Sequence, residues 1–321
     1  MTDLLGPLAT NLLSPVVLAF ALGVAAVLLR SDLKVPEALF ESLSIYLLLA
    51  IGLKGGVALS TARVDEVLLP ALGAIGLGCA IPVWVFAAAR RLVGLGRVDA
   101  AAIAAHYGSV SAVTFVASLV FLDGAGIAVE GYVAALVALM EVPGIVVALL
   151  LARGERRGST AETLRELVTS KSVLLLAGGL LVGALSGPER FAPVAPLFVD
   201  LFQGVLVLFL LELGLIAGRR LRDVRVVGPR LALVAIGAPV LNGIAGAGVG
   251  VATGLSVGGS TVLGVLAASA SYIAAPAAVR LALPGANPSL YLAAVLAVTF
   301  PFNLAVGIPL VLAAARFFSG G

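Results

Sequence analysis

Tyr107-Gly108-Ser109-Val110-Ser111-Ala112-Val113-Thr114 interrupts one long apolar run, and Ser269-Ala270-Ser271-Tyr272-Ile273-Ala274-Ala275-Pro276 interrupts another at the corresponding place in the second half of the chain. Paired hydroxyl-rich interruptions of this kind mark discontinuous membrane helices that meet at the solute site of a secondary transporter. Backbone N–H groups released by a break in lipid need partners, and hydroxyls, water or a solute can supply them. A helix restarting at the break presents an N-terminus worth roughly +0.5 charge. Two such ends directed at one spot favour a small anion, with Gly108, Ser109, Ser111, Thr114, Ser269, Ser271 and Tyr272 placed around it. Carbonyls on the unwound side suit Na⁺, and Ser111, Thr114, Ser269 and Ser271 are the hydroxyls to assist there. A lone Ser or Thr in a membrane helix more often bonds its own backbone or a neighbouring helix. The matched pair of clusters is what argues for a site.

The surroundings of these stretches fix the class. The chain is 321 residues long, 61% hydrophobic and only 12% charged, where a soluble domain carries about 25% charged residues. From Arg230 to Arg280 no charged residue intervenes over 49 positions, room for two spans at about 20 residues each. Charge-poor segments predict ten spans, at 12–29, 38–58, 67–89, 100–121, 131–152, 172–187, 197–217, 231–253, 260–282 and 290–315, in an all-α integral membrane protein with the fourth and ninth helices broken. Residues 1–13 hold no Lys or Arg, so the n-region of a cleaved signal peptide is missing and the first span is expected to be retained.

Placing loops on alternate sides puts 16 of the 20 Lys and Arg on one face, leaving Lys54, Arg63, Arg190 and Arg316 on the other. The rich face is expected to be cytoplasmic, with both termini outside. The basic pI follows from these loops and implies no nucleic-acid partner. Cys79 is the single cysteine, so neither an internal disulfide nor a Cys-based metal site is available.

The two halves repeat. Leu48-Leu49-Ala50-Ile51-Gly52-Leu53 aligns with Leu210-Leu211-Glu212-Leu213-Gly214-Leu215, and Ser109 and Ser111 with Ser269 and Ser271, at nearly constant offset. Five spans per half is an odd number, so the second half inserts upside down. The expected organisation is a first five-helix repeat at 1–152, a cytoplasmic linker at 153–171 and a second, inverted repeat at 172–321. Ser159 and Glu162 in the linker have capping-box spacing ahead of a short amphipathic helix.

Glu141 and Glu212 lie deep in apolar runs, where an acid costs ~2.5–3.5 kcal/mol on insertion scales and is a functional candidate by default. Glu141 precedes Pro143-Gly144, where a kink is expected. It is the candidate proton or cation group; Glu212 is placed to pair with the Arg219–Arg225 cluster. Lys54 is read as a snorkelling side chain at a span end, His106 as hydrogen-bonded packing, and Gly246-Ala247-Gly248-Val249-Gly250 as close helix contact. Ser109 or Ser111 beside His106 lacks a nucleophile elbow and an orienting acid, so the chain reads as a transporter and not an enzyme, with no cofactor. The open alternatives are a proton-coupled carrier of another small anion or carboxylate using Glu141, and a passive anion channel.

At these residues the chain resembles the sodium-dependent bicarbonate transporter family, best known from cyanobacteria. The likeness is carried by Gly52-Leu53 with Gly55-Gly56; Gly108, Val110-Ser111 and Thr114; Pro143 after an acid; Ala267-Ala268-Ser269 with Ser271, Ile273 and Pro276; and Ala286-Asn287-Pro288-Ser289 with Tyr291. It implies a trimeric bacterial inner-membrane permease that takes up bicarbonate with Na⁺ by an elevator motion, the anion sitting between the two broken helices. Two departures stand out. Tyr272 occupies a position where cyanobacterial members have Asp, which removes a carboxylate from the Na⁺ site. The 153–171 linker is far shorter than theirs, which argues against their regulatory partner protein.

Overall fold

The computed structural model describes residues 11–152, 165, 167–221 and 224–320, and among these every regular element is helical. Lipid dictates that outcome, because a helix satisfies its backbone polar groups internally. In chain order the helices are α1 (Pro15–Leu28), α2 (Glu37–Leu59), α3 (Val64–Val93), α4 (Arg97–Gly108), α5 (Ala112–Gly124), α6 (Gly131–Ala152), α7 (Lys171–Val194), α8 (Pro196–Arg220), α9 (Val227–Ala252), α10 (Val257–Ala268), α11 (Ala274–Ala282) and α12 (Pro288–Phe318).

Eight of these segments, taking α4 and α5 together, are long and apolar enough to cross a membrane; α1 and α10 are apolar but shorter. The protein is therefore a multi-pass membrane protein. The expected span at 12–29 is a helix of only 14 residues. The expected span at 260–282 divides into α10 and α11, which rise about 18 Å and about 14 Å against a hydrocarbon core of about 30 Å. No break occurs at Pro143, which lies inside one α-helical run, Ala134–Ala152. Outward faces are leucine-rich: Leu22, Leu181, Leu185 and Leu233 are each at least 60% exposed, as lipid contact requires. The surface helix expected around Ser159 and Glu162 lies outside the described residues.

Helices α1, α2, α7 and α8 form one packed group, while α3–α6 and α9–α12 form another that contains both breaks; contacts between the groups are sparser. The first group is held by glycine crossings. A Cβ on Gly52 would meet the Leu176 carbonyl oxygen at 2.6 Å and Gly179 Cα at 2.9 Å. At the other crossing Gly23 faces Gly214, and a Cβ on Gly214 would run into the Phe20 carbonyl. Small residues allow such backbone approach where lipid offers no hydrophobic drive between helices. Gly246 against Gly264 and Ala267 makes the same kind of contact between α9 and α10, as the sequence led us to expect.

Two carboxylate clasps close the ends of the second group. Asp99, in the first turn of α4, accepts the Asn287 N–H at 2.7 Å ahead of α12. Glu130, ahead of α6, accepts the Ser256 N–H at 2.6 Å and the Ser256 hydroxyl at 3.0 Å ahead of α10. Ser256 follows Asp99 by 157 positions, and Asn287 follows Glu130 by the same 157.

Overpacking a tight contact costs typically about 1–3 kcal/mol, and more where backbone stands in the way. Gly214→Leu is expected to lower the melting temperature of the purified protein strongly. Gly178→Leu, whose Cβ meets nothing within 4 Å, is expected to leave it unchanged in the same thermal-shift assay.

Candidate functional site

The polar stretches break their helices where expected. α4 stops at Gly108, Ser109 and Ser111 are extended, and Ser111 caps α5 by accepting the Thr114 N–H at 3.1 Å. α10 stops at Ala268, Ser269 is extended, and the Ser271 hydroxyl accepts the Ala275 N–H at 3.2 Å in the first turn of α11. Ser109, Ser111, Thr114, Ser269 and Ser271 are all buried.

Each break is repaired by the other. The Ser111 N–H donates to the Ser269 hydroxyl at 2.8 Å, and that hydroxyl donates to the Leu266 carbonyl at 2.8 Å. In the opposite direction the Ser271 N–H donates to the His106 carbonyl at 2.8 Å. Thr114 adds a hydroxyl contact to Ser111 at 2.9 Å. The Ser111 and Ser271 amides freed by unwinding are thus paired across the molecule, as burial demands. The α5 and α11 N-termini both begin at this junction, so their positive ends converge on it.

A small cavity opens beside the junction, lined by Leu48, Ser111, Glu141, Ser172, Ser271 and Tyr272 among others. Its volume is about 10 Å³, enough for one water molecule and too little for bicarbonate. Of the expected site residues, Ser111, Ser271, Tyr272 and Glu141 line it. Thr114 and Ser269 stand just behind, holding Ser111. Gly108 faces elsewhere: a Cβ there would lie 3.0 Å from Gly144 Cα and from Pro82, so this glycine permits the α4–α6 contact. The Ser109 hydroxyl and His106 Nε2 are buried without a hydrogen-bond partner. The buried Tyr272 hydroxyl lies near Ser111 but makes no hydrogen bond of normal geometry.

Ser172, at the start of α7, escaped the sequence reading because nothing in its local pattern distinguishes it; only tertiary packing brings it to Glu141. Asn303 was missed for a similar reason. Its amide donates to the Ala268 carbonyl at 2.8 Å and so anchors the end of α10 to α12. His106 Nδ1 contacts the Ala102 carbonyl at 2.7 Å, and its ring lies 4.5 Å from that of Tyr291, which is the packing role expected of it. Glu212 pairs with Arg219 at 3.8 Å, as anticipated, away from the junction. Glu141 is buried, and among the described residues no cation lies within ion-pair distance of it.

Two further cavities lie along α5 and share lining residues with the junction cavity or with each other. An apolar constriction of about 10 Å³ is bounded by Leu48, Val113, Val116, Leu206, Phe209 and Ile273. Val116 also borders a larger cavity, of about 420 Å³, beside Lys54 and Asp123.

Removing the Ser269 acceptor strands a buried N–H, at a cost of about 1–3 kcal/mol. Ser269→Ala is therefore expected to lower thermal stability, whereas Ser109→Ala, which deletes a hydroxyl without a protein partner, is expected to leave the melting temperature within a degree or so of wild type. Melting curves in detergent compare the two directly.

The sequence model of the Na+-dependent bicarbonate transporter superfamily matches residues 15–316. No curated protein matches the chain.

Proposed function

The chain belongs to the Na+-dependent bicarbonate transporter superfamily, and on that premise we propose that it takes up bicarbonate with Na⁺ by alternating access. The observation that carries the reading is the interlocked pair of buried breaks, with two helix N-termini and the Ser111, Ser271 and Tyr272 hydroxyls at one junction. Positive helix ends and hydroxyl donors suit a small oxyanion. Tyr272 brings no negative charge to its break, yet Glu141 reaches the same cavity from α6. An ionised Glu141 attracts Na⁺, and the bound cation in turn offsets its repulsion of the anion. Coupling between cation and anion then follows from electrostatics at one junction.

The cavity as it stands excludes the substrate, so this is a closed state and loading requires the breaks to part. The Ser111–Ser269 and Ser271–His106 bonds would be exchanged for bonds to the anion. The four-helix group α1, α2, α7 and α8 serves as the scaffold. The group carrying the breaks slides against it as a rigid body, an elevator motion favoured by the sparse contacts between the two. Ten membrane-crossing units in two inverted halves, 1–152 and 172–321, accommodate this scheme, with α1 as the first and α10 plus α11 as the ninth. The inversion is supported by the reciprocal glycine crossings and by the Asp99–Asn287 and Glu130–Ser256 clasps, which exchange places under a two-fold operation. The charge asymmetry of the loops supports an orientation with both termini outside the cytoplasm, and the family likeness supports a bacterial inner membrane and a homotrimer.

An inside-negative potential opposes entry of a monovalent anion by ~2.3 kcal/mol per 100 mV, and one accompanying Na⁺ cancels that term. In proteoliposomes, labelled bicarbonate is expected to accumulate only under an inward Na⁺ gradient; equal uptake without the gradient would refute Na⁺ coupling. A second reading, proton coupling through Glu141, is favoured by the burial of that carboxyl without a counter-charge. Glu141→Gln decides between them. Under Na⁺ coupling it weakens the apparent Na⁺ affinity at least several-fold; under proton coupling it abolishes pH-driven uptake and leaves Na⁺ without effect.

A further inference from the structure

We propose that Lys54 forms a second anion site, an outer capture site that receives a small oxyanion before it reaches the helix breaks. The inference rests on the anion-transport reading for its purpose, and on the geometry of α2 for its location. Sequence alone placed Lys54 at a span end, free to snorkel. In the structure α2 continues to Leu59, so the lysine sits more than a turn inside the helix and opens into two cavities. One, of about 420 Å³, is also lined by Asp123 and Gln203; the other, of about 190 Å³, by Phe115 and Glu130.

The ammonium lies over the Phe202 ring, 4.9 Å from its centroid. A ring face steadies a cation without neutralising it. Asp123 is near enough to act on its charge, yet among the described residues no carboxylate comes within 4.0 Å of Lys54. A half-buried cation held by an aromatic face, beside a mainly apolar cavity whose other polar lining residues are Asp123 and Gln203, is a receptor for an anion. Gln203 adds an amide donor on the same wall. The cavity fits the chemistry in size as well, since bicarbonate occupies far less than the larger volume.

Position gives the site its role. Val116 borders both the large cavity and the apolar constriction, and Leu48, Ala112 and Ile273 border both the constriction and the junction cavity. Lys54 thus stands at the wide end of a series of neighbouring cavities that share lining residues as far as the breaks. A fixed positive charge in a low-dielectric funnel raises the local anion concentration and falls off in effect as ionic strength rises. Capture at Lys54 followed by passage through the apolar constriction divides recognition into two steps. Asp123 limits the strength of the first, so that the anion is released onward.

Two measurements test this independently of one another. Lys34, Lys54 and Lys171 are the three lysines of the chain, so acylation by an N-hydroxysuccinimide ester followed by mass spectrometry reports each separately on the reconstituted protein. Bicarbonate is expected to slow modification of Lys54 several-fold relative to equimolar gluconate, and to leave Lys34 and Lys171 unaffected. In uptake assays Lys54→Gln is expected to raise the KM for bicarbonate about tenfold and to flatten its dependence on ionic strength, while Lys54→Arg restores both. Equal labelling of Lys54 in bicarbonate and gluconate, or protection shared by all three lysines, overturns the capture site even if uptake is normal. Protection of Lys54 in a protein that accumulates no bicarbonate leaves the capture site standing and refutes the transport reading instead.

Discussion

The structure depends on one constraint: two helices are unwound inside a membrane protein, and the polar groups so exposed must find partners. They find them in each other. Ser111 N–H on the Ser269 hydroxyl, and Ser271 N–H on the His106 carbonyl, join α4–α5 to α10–α11. Neither break is affordable alone, because a buried amide without a partner costs about 1–3 kcal/mol. The neighbouring helices are arranged to keep the two together. Asn303 holds the end of α10, the Gly108–Gly144 contact holds the end of α4, and the Asp99 and Glu130 clasps fix the outer ends.

On the proposed function the same constraint would make the junction a switch. Bonds from the serine groups at the two breaks to an oxyanion are charge-assisted and stronger than the neutral bonds between the breaks, so a substrate could replace them. Lipid-packed apolar contacts elsewhere need not change. The separation into a glycine-sealed four-helix group and a group that carries the breaks, with sparser contacts between them, is the feature the proposed elevator motion would use. Glu141 enters the junction cavity from α6, and on the proposed function it would tie the charge state of the site to the accompanying cation.

The helical class and the place of both breaks were legible in the sequence, because serine clusters in long apolar runs have no other cheap explanation. The Glu212–Arg219 pairing and the packing role of His106 could also be read from spacing and burial. Other features were hidden. Gly108 was assigned to the site because it adjoins the serines, whereas its backbone closeness to Gly144 joins segments distant in sequence. Pro143 lies inside one continuous helical run, Ala134–Ala152. Ser172, Asn303 and the 157-residue exchange of the clasps depend wholly on tertiary placement. Hydropathy also counted α1 as a full span, since it registers apolar length and not where a helix stops.

The most direct measurement is a high-resolution cryo-electron microscopy map of the protein in lipid nanodiscs saturated with Na⁺ and bicarbonate. The account predicts a planar solute density at the junction, within hydrogen-bond reach of Ser111 and Ser271, with the Ser111–Ser269 contact opened to admit it. A map in which solute binds elsewhere while the two breaks stay locked together would contradict it.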